Sequence, residues 1–142
     1  MPHSEAVNWQ PISEMPLIAS MIDEALEDTR AHIKTLTEAS ARLHVMDDAT
    51  VDRIDRVHVE QMEFVDIYAQ QIGRWRNEGP SVSQTRELDR MEEQNRKLRD
   101  ATTTVLALSR DLRKGTIERV MEKSDSELGL EAVLRGQPAT RR

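Results

Sequence analysis

The chain has 142 residues, a net charge of -6 and no cysteine. This length is sufficient for one domain with its own core, and the lack of cysteine excludes disulfides, thiolate zinc sites and a cysteine nucleophile. No apolar run approaches the ~20 residues of a membrane-spanning helix, and the N-terminus does not have the features of a secretory signal. These features predict a soluble, cytoplasmic protein.

The charges are unevenly distributed along the chain. Residues 1–79 contain 7 basic and 15 acidic residues, whereas residues 80–142 contain 13 basic and 11 acidic residues. An acidic half is a poor surface for a phosphate backbone, so nucleic-acid binding is not expected there. With 32% charged and 3% aromatic residues, the composition is typical of long helices. Its 16 arginines against four lysines also resemble small helical bacterial proteins.

The first predicted helix covers residues 13–44 and follows an N-terminal arm, residues 1–12. We place Ser13 as its N-cap and Pro16 in its first turn. Apolar or small residues then recur at alternating spacings of four and three, the pattern of a coiled-coil-like seam. The seam residues are Ile18, Ile22, Ala25, Thr29, His32, Leu36, Ala39 and Leu43.

The second predicted helix covers residues 48–76 and ends before Gly79 and Pro80, which cannot continue it. Because the connection to the first helix is short, the two helices are expected to form an antiparallel hairpin. Trp9 of the arm is expected to fold onto the end that contains Trp75. The seam of this helix consists of Val51, Ile54, His58, Gln61, Val65, Tyr68, Ile72 and Trp75.

The third predicted helix covers residues 81–114 and starts with the capping box Ser81-x-x-Gln84. Gly115 and Thr116 resemble a stop and a new cap, so residues 116–135 are assigned to two short capping helices and residues 136–142 to a tail. The predicted fold is thus a single all-α bundle: a long antiparallel hairpin, a third long helix and two short C-terminal helices. Because its narrow seams would bury little apolar area, we expect a homodimer.

Two pairs of polar residues in the hairpin suggest alternative roles. Asp28 precedes His32 by four residues and Asp55 precedes His58 by three, so each pair can share one side of its helix. The four side chains could bind a divalent metal, although the chain contains no Glu-x-x-His motif. Alternatively they form a polar layer with Gln61 that fixes helix register, with His32 opposite Gln61. If each histidine pairs with its aspartate, its pKa should rise on folding.

Asn95 lies in the middle of the third seam, between Met91 and Leu98. A buried asparagine at such a position sets register and oligomeric state in coiled coils. An asparagine at the edge of the seam would instead contact water. The sequence leaves both alternatives open.

The sequence contains no motif that indicates catalysis. It has no glycine-rich phosphate loop, no Gly-x-Ser-x-Gly elbow and no zincin motif. We therefore predict a non-enzymatic protein without a cofactor, which acts by self-assembly or by binding a protein partner. The alternatives are the metal-binding bundle and a nucleic-acid accessory protein. The latter would use a basic stripe that neighbouring acidic residues largely neutralise; it comprises Arg86, Arg90, Arg96, Lys97 and Arg99.

Overall fold

The computed structural model describes residues 7–42 and 47–134, with side chains described for 7–42 and 47–115. Within these ranges all regular structure is helical, which confirms the all-α prediction. A short 3-10 turn, Ile12–Glu14, leads into helices α1 (Met15–Ala41), α2 (Asp48–Arg76) and α3 (Val82–Leu134). Residues 1–6, the connection 43–46 and the predicted tail lie outside the described residues.

The start of α1 differs from the prediction. Ser13 is part of the 3-10 turn, and Glu14 occupies the N-cap position without a side-chain hydrogen bond. The amide of Glu14 donates to the carbonyl of Pro11 at 2.9 Å, and the amide of Met15 donates to the carbonyl of Ile12. Backbone carbonyls of the turn therefore replace a side-chain cap. Pro16 lies in the first turn, as predicted.

The predicted bounds of α2 are confirmed. Asp47 is its N-cap, and its carboxylate accepts from the amide of Thr50 at 2.8 Å. This hydrogen bond lowers the pKa of Asp47, because it favours the charged form. Gly79 then turns the chain with φ at 64°, a value that glycine adopts without a steric penalty.

The capping box at the start of α3 is also confirmed. The amide of Ser81 donates to Gln84 Oε1 at 2.9 Å, and the amide of Gln84 donates to Ser81 Oγ at 3.1 Å. The end of the helix differs, because the backbone of α3 continues to Leu134 through the expected stop at Gly115. The two short C-terminal helices are therefore not shown. A glycine inside a helix costs only about 1 kcal/mol relative to alanine, which lowers helix stability without ending the helix.

Helix α3 is the element against which the other two pack. Both α1 and α2 lie along it, whereas the backbones of α1 and α2 rarely approach each other. Asp55 pairs with Arg113 and Asp66 with Arg99, so α2 runs antiparallel to α3. Asp23 pairs with Arg90, and Thr29 shares the side chain of Gln61 with Thr102, so α1 runs parallel to α3. This arrangement resembles a square four-helix bundle in which described helices fill three of the positions.

Two apolar clusters form the core along α3. The larger one lies near the start of α1 and the end of α2, and the smaller one lies near the hairpin connection. The largest fully buried side chain is Trp75. Between the clusters, polar side chains cross from helix to helix. None of the described helices combines the length and apolar character needed to cross a membrane.

Candidate functional site

The centre of the bundle contains a polar layer built around Gln61 of α2. Its amide nitrogen donates to Thr29 Oγ1 of α1 at 2.8 Å and to Thr102 Oγ1 of α3 at 2.9 Å. Both threonine hydroxyls donate in turn to carbonyls of their own helices, those of Ala25 and Leu98, at 2.6 Å. The two hydroxyl oxygens are therefore available as acceptors, and Gln61 connects all three helices.

The histidines of α1 and α2 contact each other one turn away from this layer. His32 Nδ1 lies 3.2 Å from His58 Nε2, and the rings meet edge to face. His58 Nδ1 lies 2.7 Å from the carbonyl oxygen of Ile54. Because a carbonyl only accepts, His58 must carry its proton on Nδ1 in the neutral form, and His32 must then donate from Nδ1 to His58 Nε2. His58 is 1% exposed, so both of its nitrogens are used inside the protein.

The position of His58 determines the sign of its pKa shift. Burial lowers the pKa of His58, and the neighbouring His32 acts in the same direction. The hydrogen bond to the carbonyl of Ile54 and the charge of Asp55 oppose this shift but do not overcome it. The increase expected from an Asp55–His58 pair therefore does not occur at His58, because burial outweighs the carboxylate.

The contacts described for the histidines and for Asp55 differ from the predicted aspartate–histidine pairs. Asp55 Oδ2 accepts from Arg113 Nη2 of α3 at 2.8 Å, and Asp28 is exposed. Among the residues with described positions, no three His, Asp or Glu side chains lie close enough together to hold a metal ion. The metal site made of Asp28, His32, Asp55 and His58 stays a prediction that these contacts do not support. His32 and His58 contact each other between α1 and α2, whereas Gln61 lies one turn away and bonds to Thr29 and Thr102 and not to a histidine.

Asn95 belongs to the core and not to the edge of its seam. It is 5% exposed, and its Nδ2 donates to the carbonyl of Val65 in α2 at 3.0 Å. Its Oδ1 is buried without a hydrogen-bond partner. A bond from a side chain of one helix to the backbone of another holds the two at one register, because a shift of either helix would leave further polar atoms unpaired.

A groove runs between α1 and α2 on the side away from α3. It has a volume of about 300 Å³ and is lined by Ala25, Val57, Glu60, Gln61, Phe64 and Tyr68. Val57 is 50% exposed and Phe64 is 44% exposed. On α1, Leu17 and Met21 continue the line of Ala25 at spacings of four and are also exposed. Large apolar side chains thus collect at a position beside α1 and α2 that no other described helix occupies.

The N-terminal arm packs on the end of the hairpin that contains Trp75, as predicted for Trp9. The carbonyl of Gln10 accepts from Trp75 Nε1 at 2.9 Å, and its amide donates to Gln71 Oε1 at 2.8 Å. The guanidinium of Arg74 lies 4.1 Å from the centroid of the Trp9 ring, a cation–π contact. Two buried side chains of α2 therefore fix the arm.

Comparison with known protein families, with curated proteins and with solved structures finds no match to this chain.

The sequence reasoning missed two features of this region. Arg113 was not recognised as the partner of Asp55, because residues far apart in sequence meet only through the packing of α3 on α2. The groove was missed because Val57 and Phe64 lie outside the predicted seam of α2. Their signal was large apolar side chains on a charged helix, at a spacing of seven residues that places both on one face.

Proposed function

We propose that this protein is a non-enzymatic interaction protein, which binds a protein partner in the groove between α1 and α2. The observation that carries the proposal is the collection of exposed apolar side chains beside α1 and α2, where no other helix lies among the described residues. Contiguous exposed apolar surface with a polar rim is typical of interaction sites. An amphipathic helix is the natural occupant of a groove between two helices.

We further propose that the chain forms a homodimer. Helix α3 has 53 residues, against 27 in α1 and 29 in α2. At 1.5 Å per residue α3 is about 80 Å long and α2 about 44 Å, so α3 exceeds the helices that pack on it by about 36 Å. A helical segment of this length is marginally stable in water on its own. Pairing with a second copy of the chain would stabilise a helix of this length.

Light scattering on the purified protein tests the dimer. We expect the mass of a dimer at micromolar concentrations for the full chain and the mass of a monomer for residues 1–115, which retain every core residue described here. Circular dichroism on both samples serves as the control, since the shorter chain must keep its helical spectrum for the comparison to count. A full-length monomer across the whole concentration range would contradict the proposal.

Photo-crosslinking tests the groove in cells of the source organism. Phe64 is replaced by benzoylphenylalanine, which has a similar shape and reacts with groups within a few ångströms. We expect this variant to form a defined covalent adduct. The same replacement at Val59, which is 51% exposed on another side of α2, is expected to form none. Absence of an adduct at Phe64, or equal adducts at both positions, would contradict binding in the groove.

A further inference from the structure

The geometry points to a basic amphipathic helix of a partner protein as the occupant of the groove, in the fourth position of a four-helix bundle. This inference rests on the proposed function and adds the chemistry of the partner. The observation behind it concerns carboxylates at the edges where helices meet. At the two edges that face α3, carboxylates pair with arginines of the neighbouring helix, whereas the described carboxylates along the groove do not.

The apolar part of the groove suits one helix. On α2, Val57, Phe64 and Tyr68 follow one another at spacings of seven and four, and the rings of Phe64 and Tyr68 lie 6.3 Å apart. This row spans about 17 Å at 1.5 Å per residue, so it would contact about three turns of a docked helix. The opposite wall includes Ala25, whose small side chain leaves room for the backbone of a helix.

Carboxylates at the edge between α1 and α3 are neutralised within the chain. Asp23 of α1 accepts from both terminal nitrogens of Arg90 at 3.0 Å. The hydrogen bond with Arg90 lowers the pKa of Asp23. Gln94 adds a further donor at 3.1 Å. An arginine of α3 thus neutralises the carboxylate at this edge of α1.

The edge between α2 and α3 follows the same rule. Asp66 pairs with Arg99 at 2.5 Å. Asp52 and Asp55 both pair with Arg113, at 3.3 and 2.8 Å. Near the end of α2, the arginine lies on α2 and the carboxylates lie on α3: Arg76 pairs with Asp89 and Glu92. Carboxylates at both edges that face α3 therefore have an arginine from the neighbouring helix.

The carboxylates along the groove have no such partner among the described residues. Glu60 lines the groove, and Glu24 and Asp28 lie on the same side of α1 as Met21 and Ala25. All three are exposed. On α2, Arg53 lies one turn before Val57, and Arg74 at the far end contacts Trp9. By analogy with the other two edges, the missing helix would supply the lysines or arginines.

A second copy of the chain fits this groove less well. A two-fold dimer that pairs the groove with itself would bring Glu24, Asp28 and Glu60 of one protomer towards the same carboxylates of the other. Like charges at an interface oppose association. The proposed homodimer, which uses the C-terminal part of α3, leaves the groove available.

Two designed peptides test the charge preference directly. They are 21-residue helices with identical leucine and alanine faces, and their polar faces carry either lysine or glutamate. Fluorescence anisotropy with the full-length protein is measured at about 50 mM salt, where exposed charges are weakly screened. We expect the basic peptide to bind at least about tenfold more tightly than the acidic one, because three exposed ion pairs would form with the basic peptide alone.

A matched pair of variants tests whether the basic peptide binds in the groove or is only attracted to an acidic protein. Val57 and Val59 are equally exposed, 50% and 51%, and two residues apart on α2, so they lie on different sides of the helix. Val57→Asn and Val59→Asn leave the net charge unchanged and replace valine by a residue of similar helix propensity. We expect Val57→Asn to weaken binding of the basic peptide by about fivefold or more, since apolar contact is lost, and Val59→Asn to leave it unchanged.

The triple variant Glu24→Gln, Asp28→Asn, Glu60→Gln should remove most of the preference for the basic peptide. Equal affinity for the two peptides, tighter binding of the acidic peptide, binding of neither, or equal effects of Val57→Asn and Val59→Asn would each overturn the inference. Dissociation of a dimer by Val57→Asn alone would identify a second copy as the occupant. If the Phe64 crosslink forms while the peptides are not distinguished, the proposed function stands and only the inference fails.

Discussion

Replacing Trp75 by alanine is expected to lower the free energy of unfolding by about 3–5 kcal/mol, the range for removal of a large buried aromatic side chain. Trp75 is fully buried in the larger cluster, beside residues such as Met15 and Leu88. The change would also remove the indole donor that binds the carbonyl of Gln10 at 2.9 Å. The N-terminal arm should therefore become less firmly attached.

Urea unfolding measures the loss of stability, and fluorescence measures the release of the arm. The chain contains two tryptophans, so Trp9 is the only one left in a Trp75 variant. In Trp75→Ala its emission should shift to longer wavelength as Trp9 becomes exposed to water. Trp75→Phe is the control: it keeps most of the buried ring, should lose about half as much stability or less, and should retain more of the contact between Trp9 and Arg74. A change below about 1 kcal/mol in Trp75→Ala would contradict the assigned role of Trp75 in the core.

His58 is expected to make the protein less stable as the pH falls. Burial lowers the pKa of His58 in the folded state below the ordinary value of 6.5. Between the folded and unfolded pKa values the unfolded chain binds more protons, so stability rises with pH in this window. The contribution is complete above pH 6.5 and is lost as the pH falls from 6.5 towards the folded value. Asp23 and Asp47 also have lowered pKa values, but they respond only near and below pH 4.

The variant His58→Leu should remove most of this dependence. At pH 8 we expect its stability to lie within about 1.5 kcal/mol of the parent protein, because leucine packs well in a buried position and His32 is half-exposed and can bind water. At pH 5.5 the variant should be more stable than the parent. Thermal unfolding from pH 5.5 to 8.5 at constant protein concentration measures both effects. A parent protein with a flat profile in this range, or a variant with the same slope as the parent, would contradict the assignment.

Local signals made the ends of α2 and the start of α3 predictable. Asp47 and the pair Ser81 and Gln84 satisfy helix amides within three residues of their own positions, so their effect does not depend on the remainder of the fold. The same reasoning failed at Ser13, because carbonyls of the 3-10 turn took the place of the cap. It also failed at Gly115, where the sequence resembles a stop but the helix continues.

The seam pattern correctly placed His32, His58, Gln61 and Asn95 between helices, but their partners depend on the exact register. The prediction placed His32 of α1 opposite Gln61 of α2. In the structure Gln61 contacts Thr29, and His32 contacts His58. This is a shift of about one turn along α1. Helical periodicity repeats every three to four residues, so it specifies the face of a helix without specifying which turn of one helix meets which turn of another.

By itself the sequence determined that the chain forms three long helices, where α2 begins and ends, and which face of each helix is apolar. These properties follow from capping groups and from side-chain spacing, which act over a few residues. Only the tertiary structure decided that Asp55 binds Arg113, that burial lowers the pKa of His58, and that α1 and α2 pack on α3 and leave a groove between them. Each of these depends on the distance between residues far apart in the chain, which is set when the helices pack.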